Sequence, residues 1–135
     1  MNAAAVAKTY TFEAAHILPD HPGKCSRLHG HSYKVKVEVF GEVNPTTGMV
    51  VDFAVVDDQV KPMIDILDHR FIAKGDEWPC SAAPDGTHIQ VIGVRTTAEN
   101  LARWFAERVL IGRVVWVTVW ETEKCSATVE VLRVL

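Results

Sequence analysis

Cys25-Ser-Arg-Leu-His29-Gly-His31-Ser-Tyr33-Lys-Val35-Lys-Val37-Glu-Val39-Phe-Gly41 is the stretch on which the fold turns. From Tyr33 onward, apolar and charged side chains alternate, which predicts an antiparallel strand with one face in a core. His29 and His31 share odd parity with Tyr33, Val35 and Val37, so an uninterrupted strand turns both imidazoles toward the apolar face. Buried imidazoles need partners, and a metal ion would supply one. Working outward, Phe12-Glu-Ala-Ala-His16 offers a third nitrogen from a neighbouring strand. Three histidines and an open fourth position match catalytic zinc better than a closed structural site.

The remaining elements follow in order. Residues 7–15 are rich in Thr and aromatics and read as a strand ending at His16; Pro19, Pro22 and Gly23 then make 17–24 a loop. Asn44-Pro-Thr-Thr-Gly48 is a turn. Apolar residues at 53, 56, 60, 63, 64 and 67 keep helical spacing behind an Asp52 N-cap, and that helix delivers Leu67-Asp68-His69. Thr96-Thr97-Ala98-Glu99 has capping-box spacing from Thr96 to Glu99, predicting a second amphipathic helix over about 97–110. Val114–Trp120 is a strand, interrupted at 121–124 and resumed at 126–134 as a hairpin. Between the helices, 70–95 is mostly loop by its Pro and Gly content, with a short strand possible at 88–92; its length favours a lid or an interface element.

Strands and helices in segregated runs predict an α+β fold: a four-stranded antiparallel sheet with two helices on one face. The length of 135 residues fits a single domain, 1–135. The Val-rich strand 114–120 makes an exposed second face costly, so an oligomer that covers faces or edges is expected.

Composition narrows the function. A net charge of -3 argues against a phosphate-backbone surface, so nucleic acid is not the expected partner. No apolar run reaches the roughly 18 residues of a membrane span. Three cysteines, at 25, 80 and 125, form neither a disulfide framework nor a CxxC site. With no signal-peptide pattern in residues 1–8, a reduced cytoplasmic setting is expected.

Among the candidates, Cys25 lies between Lys24 and Arg27, which favour a thiolate, and its spacing to the His pair also allows it to be a metal ligand. Asp68-His69 is either a helix-end pair or a carboxylate-oriented imidazole for proton transfer. Glu99 reads as the capping-box partner of Thr96. Glu121 is either the hairpin's edge or a buried acceptor for paired N–H donors.

Taken together, Phe12-x-Ala14-Ala15-His16, Cys25-x-x-x-His29-Gly30-His31-x-Tyr33, Gly48-Met49-Val50-x-Asp52-Phe53, Leu67-Asp68-His69, Thr97-Ala98-Glu99-Asn100 and Glu121-Thr122 resemble, in order, the 6-pyruvoyl-tetrahydropterin and 6-carboxytetrahydropterin synthase family. The resemblance covers residues 8 to about 134. It implies the tunnelling fold (T-fold), an oligomeric barrel assembled as a hexamer from two trimers, and active sites at subunit interfaces. By the same carry-over, His16, His29 and His31 hold Zn2+, and Cys25, Asp68 and His69 form the acid–base set. Glu121, Thr97 and Glu99 lie where the family contacts the pterin. The short Cys-x-x-x-His-Gly-His spacing is similar to the 6-carboxy branch, which implies a lyase in deazaguanine (queuosine) biosynthesis. Its substrate would be 7,8-dihydroneopterin triphosphate, giving 6-carboxytetrahydropterin, acetaldehyde and triphosphate. The pyruvoyl product and a non-catalytic pterin-binding module are the alternatives. Two local departures from the family pattern stand out: Arg70-Phe-Ile-Ala-Lys74 follows Asp-His, and Val94-Arg95-Thr96 replaces the commoner Asn-Pro approach to the second helix.

Overall fold

Alternation in the first two strands builds the sheet's centre. β1 (Ala3–His16) and β2 (His29–Glu42) pair antiparallel along their whole length, with Phe12 opposite Tyr33, Ala14 opposite His31 and His16 opposite His29. The computed structural model describes residues 2–75 and 88–134. Tyr10, Phe12, Ala14 and His16 of β1 share the buried face with Tyr33, Val35, Val37 and Val39 of β2. Phe12 and Tyr33 stack with ring centroids 4.7 Å apart. Each fully buried Val or Phe contributes about 1.5–3 kcal/mol by leaving water, so this face dominates folding.

Between β2 and the first helix, Asn44 makes the expected turn: its Oδ1 accepts from the backbone N–H of Thr46 (2.8 Å) and Thr47 (3.2 Å). Helix α1 (Phe53–Leu67) starts at Asp52, whose side chain accepts from the Ala54 N–H at 2.8 Å. Val56, Val60, Met63, Ile64 and Leu67 are its buried stripe, and Pro62 lies on the exposed side, where the carbonyl it leaves unbonded meets water. Helix α2 (Ala98–Ala106) buries Leu101, Trp104 and Phe105 against the same sheet face. It is shorter than the predicted 97–110, because the Glu107 and Arg108 N–H groups close the end on Arg103 and Phe105 carbonyls.

Its cap is shifted by one residue from the predicted box. Thr97 is the N-cap, accepting from the Asn100 N–H at 3.2 Å, so Glu99 is not the box partner of Thr96. The Thr96 side chain turns inward instead.

The sheet has six strands rather than four, in the order β4-β3-β1-β2-β5-β6. The additions are β3 (Arg70–Ala73), parallel to β1, and β4 (Ile89–Val91), parallel to β3. Phe71, Ile72 and Ala73 are all buried, so β3 lacks the alternation by which a strand is read from sequence. The strand expected at 88–92 is therefore present. The loop positions expected at 76, 79 and 84–86 lie outside the described residues, as does Cys80.

At the other side, β5 (Val114–Thr122) pairs with β2 and with β6 (Cys125–Leu132). Glu121 belongs to β5, at an irregularity between Trp120 and Thr122, and does not break the strand as expected. Val115, Val117 and Val119 all face the helices. The opposite face is not Val-rich: Lys34 sits over Trp120 at 4.8 Å, Trp116 Nε1 donates to Glu130 at 2.7 Å, and Thr118 bonds Thr128. No helix among the described residues is long and apolar enough to cross a membrane.

Candidate metal centre and substrate cleft

Three side chains end the buried face of the central strands. His16 closes β1 and His29 opens β2, so the register puts them opposite each other; His31 follows on the same face one step along β2. Their nearest ring nitrogens all lie within 4.8 Å of one another, and they are the only such metal-holding group among the described residues. Gly30 permits the close pairing, since a Cβ there would meet the Ala14 carbonyl oxygen at 3.3 Å.

Hydrogen bonds fix which nitrogen points inward in two of the rings. His16 Nδ1 is 2.9 Å from the Thr96 carbonyl oxygen, and His29 Nδ1 is 2.7 Å from the Arg27 carbonyl oxygen. A carbonyl only accepts, so both Nδ1 atoms carry the proton and both Nε2 atoms present lone pairs. Yet His16 Nε2 and His29 Nε2 are 2.9 Å apart. His31 Nε2 is buried without a hydrogen-bond partner among the described residues. Two inward lone pairs whose outward N–H groups are held by carbonyls, together with the unpartnered Nε2 of His31, form a ready ligand set for a divalent ion that favours imidazole. The residues fit a metal; without one, the lone pairs would repel.

Electrostatics agree. Burial, and after it the neighbouring His29, lower the His16 pKa from 6.5 to about 4, against the opposing pull of its bond to Thr96; His31 also contributes to the lowering. The His31 pKa is lowered by burial and then by His29. Imidazoles kept neutral are ready to ligate. Burial likewise raises the Tyr33 hydroxyl, which approaches His16 Nδ1 at 3.3 Å.

Beside the triad, a cleft of about 360 Å³ is lined by Cys25, Thr97, Glu99 and Glu121, together with His21 and Cys125. Glu121 Oε2 is 4.0 Å from His31 Nε2. Burial raises the Glu121 pKa; His29 opposes this and Glu99 adds to it. Cys25 sits in a 3-10 turn, Lys24–Ser26, half-buried and unbridged, and its carbonyl accepts from the Leu18 N–H at 2.8 Å. Thr97 spends its hydroxyl on the cap of α2 while lining the cleft, and Glu99, free of a capping role, is exposed.

Asp68 and His69 do not line that cleft. His69 Nδ1 is 3.0 Å from Asp68 Oδ1, which also accepts from the Glu13 N–H at 2.8 Å. The Glu13 N–H bond is the largest influence holding the Asp68 carboxyl below its ordinary range. His69 has a left-handed backbone (φ 59°), an uncommon conformation for a side-chain-bearing residue, and an exposed ring. The pair is thus formed and fixed on the outer edge of β1.

Sequence spacing does not mark His21 or Cys125 as cleft residues, and it marks Thr96 only as a cap. His21 and Cys125 reach the cleft by loop and hairpin placement, for which no spacing is diagnostic. Thr96 was hidden by its resemblance to a cap.

This geometry agrees with the comparisons. The model of the family described as "6-pyruvoyl tetrahydropterin synthase" matches residues 5–131. The chain belongs to the 6-pyruvoyl tetrahydropterin synthase family. A curated relative from Haemophilus influenzae, named 6-carboxy-5,6,7,8-tetrahydropterin synthase, is 37% identical over 76% of this chain and 79% of its own. One of the same name from Synechocystis is also 37% identical, over 75% of this chain and 92% of its own. The solved 6-pyruvoyl tetrahydropterin synthase of Plasmodium vivax superposes with a TM-score of 0.80 at 19% identity, covering 98% of this chain and 100% of that one. The fold is therefore the T-fold of that family, and the chain is an enzyme of the tetrahydropterin synthases.

Proposed function

We propose that this family member is a zinc-dependent lyase, a 6-carboxy-5,6,7,8-tetrahydropterin synthase. It would convert 7,8-dihydroneopterin triphosphate and one water molecule to 6-carboxytetrahydropterin, acetaldehyde and triphosphate. The observation that carries this reading is the convergence of three imidazoles beside a cleft that holds the half-buried Cys25 thiol and the half-buried Glu121 carboxylate. The names of the Haemophilus and Synechocystis relatives and the short Cys25-to-His29 spacing support the carboxy product.

His16, His29 and His31 would hold the zinc. When bound, it supplies a Lewis acid for substrate oxygens, easing the build-up of enolate-like charge. Glu121 would receive the paired N–H donors of the pterin's guanidine-like edge, with Thr97 and Glu99 beside it. Cys25 and His69, the latter oriented by Asp68, would take and return protons at carbon on opposite sides of the substrate. Lys24 and Arg27, both exposed next to Cys25, would receive the triphosphate.

Asp68 and His69 would reach the cleft from a second copy. Along β1, only Ala14 and Ala15 pair with β3, so the outer edge of Ala3–Phe12 carries no strand among the described residues; β6 ends the other side. Successive antiparallel pairings place the end of β1, with Asp68-His69 beside it, and the start of β6, with Cys125, at the same end of the sheet. Joining β6 of one copy to β1 of the next would set Asp68-His69 against the neighbouring cleft. Residues 1–135 would then act as one T-fold domain in a hexamer built from two trimers, in the cytoplasm, feeding deazaguanine and queuosine synthesis.

The family's own description and the Plasmodium structure favour a second reading, the pyruvoyl product. Product analysis of the purified, zinc-loaded protein separates the two. Acetaldehyde with 6-carboxytetrahydropterin supports the proposal, and triphosphate release without acetaldehyde supports the pyruvoyl reaction. Pterin binding without turnover would instead mark a binding module.

A further inference from the structure

Immediately before α2, two consecutive side chains reach in different directions, one to His16 and one to the loop that carries Cys25. Thr96 is 2% exposed, and its Oγ1 lies 3.1 Å from His16 Nδ1, beside its own carbonyl oxygen at 2.9 Å. Arg95 is half-buried, and its guanidinium donates to the Pro19 carbonyl. Pro19 belongs to the loop that joins His16 to Cys25, a loop otherwise closed by the Leu18 N–H on the Cys25 carbonyl at 2.8 Å and the His21 N–H on the Leu18 carbonyl at 3.2 Å.

We propose that Arg95 and Thr96 are positioning residues: Thr96 fixes the tautomer and ring plane of His16, and Arg95 fixes the loop that presents Cys25 to the cleft. The inference deepens the metal and acid–base reading above and rests on it.

The chemistry is specific. One N–H on His16 faces two acceptors supplied by one residue, nearer than the Tyr33 hydroxyl at 3.3 Å, so the ring is held by a fork and rotation about its plane breaks both contacts. Such outer contacts set the orientation and basicity of a ligating imidazole and are worth about 10–100-fold in metal affinity. Arg95 acts at a distance from the thiol. The loop around Cys25 has few other ties: Ser26 and Gly23 bond within it, and Lys24 and Arg27 are exposed. A charge-assisted bond to the Pro19 carbonyl is therefore a principal constraint from outside the loop. Because both residues sit on the lead-in to α2, one segment sets the metal ligand and the thiol relative to each other.

Two variants separate the roles. In Thr96→Val, which keeps shape and carbonyl but loses the hydroxyl, zinc affinity measured by competition with a chromogenic chelator should fall about tenfold, the low end of that range, with Cys25 alkylation unchanged. In Arg95→Met, iodoacetamide should label the Cys25 peptide about tenfold faster in the metal-free protein, the low end of the effect of losing one hydrogen bond to a charged group, with zinc affinity unchanged. Arg95→Lys, which retains a donor, should restore the wild-type labelling rate. Thermal melts establish that each variant folds. Wild-type zinc affinity in Thr96→Val, or wild-type labelling in Arg95→Met, overturns the corresponding role. Failure of the wild-type protein itself to bind zinc would overturn the underlying metal reading, while the Arg95 labelling result would still decide its own arm.

Discussion

His16 Nε2 faces His29 Nε2 at 2.9 Å while the opposite nitrogen of each ring sits on a backbone carbonyl oxygen. Neither facing atom has a proton to share, so the contact is favourable only around a cation. Removing the metal should therefore cost stability: with zinc at 100 times its dissociation constant, binding contributes about 2.7 kcal/mol. Chelation should lower Tm by about 10 °C, and stoichiometric zinc should restore it. A melt indifferent to chelator and added zinc would contradict the three-His site.

The same burial makes a pH prediction for the metal-free protein. Burial and His29 lower the His16 pKa to about 4 in the fold, against 6.5 when unfolded. Above 6.5 the residue is neutral in both states and contributes nothing to the pH dependence. Below 6.5 the unfolded chain takes up a proton that the folded chain refuses, so stability falls as pH drops toward 4 and the effect levels off beneath it. The size is on the order of 3 kcal/mol. Denaturant titrations of the chelated protein at pH 7, 5.5 and 4 check this, and His16→Gln should flatten that slope.

Glu121 is close to the metal group yet is assigned to substrate. Its side chain lies 4.0 Å from His31 Nε2, too far for a hydrogen bond, and burial raises its pKa while His29 opposes the rise. On the proposed roles, Glu121→Gln should keep bound zinc and lose the charge proposed to pair with the pterin's donors. Substrate affinity should fall about 10–100-fold, measured by fluorescence titration alongside metal analysis. Loss of zinc from this variant would make Glu121 a ligand instead.

Legibility in the sequence followed periodicity. Val35, Val37 and Val39 alternate with charges, so β2 and the facing of His29 and His31 could be read directly, and the His16 pairing followed from one neighbouring strand. Phe71-Ile72-Ala73 is buried on both faces, so β3 carries no period, and with it the sheet's parallel edge was illegible. Thr96 and Thr97 are chemically alike; only tertiary packing decides that the second caps α2 while the first holds His16. Motif order marked Cys25 and Asp68-His69 alike, but whether both line one cleft depends on strand order, which no local pattern encodes.

That strand order yields the last prediction. Cys25 lines the cleft and His69 does not, although both are assigned to proton transfer. If each working site takes Cys25 from one copy and His69 from its neighbour, Cys25→Ala and His69→Ala are each inactive alone yet complementary. Dissociating the two variants together and reassembling them at random pairs an intact Cys25 with an intact His69 in roughly a quarter of the sites of a symmetric ring. Turnover should return to about that fraction of wild type. The double variant mixed with wild type supplies the control for exchange, since it dilutes activity by the same statistics. If the site lay within one chain, the mixed single variants would stay inactive at every ratio, and the edge-to-edge assembly of β6 on β1 would lose its functional basis.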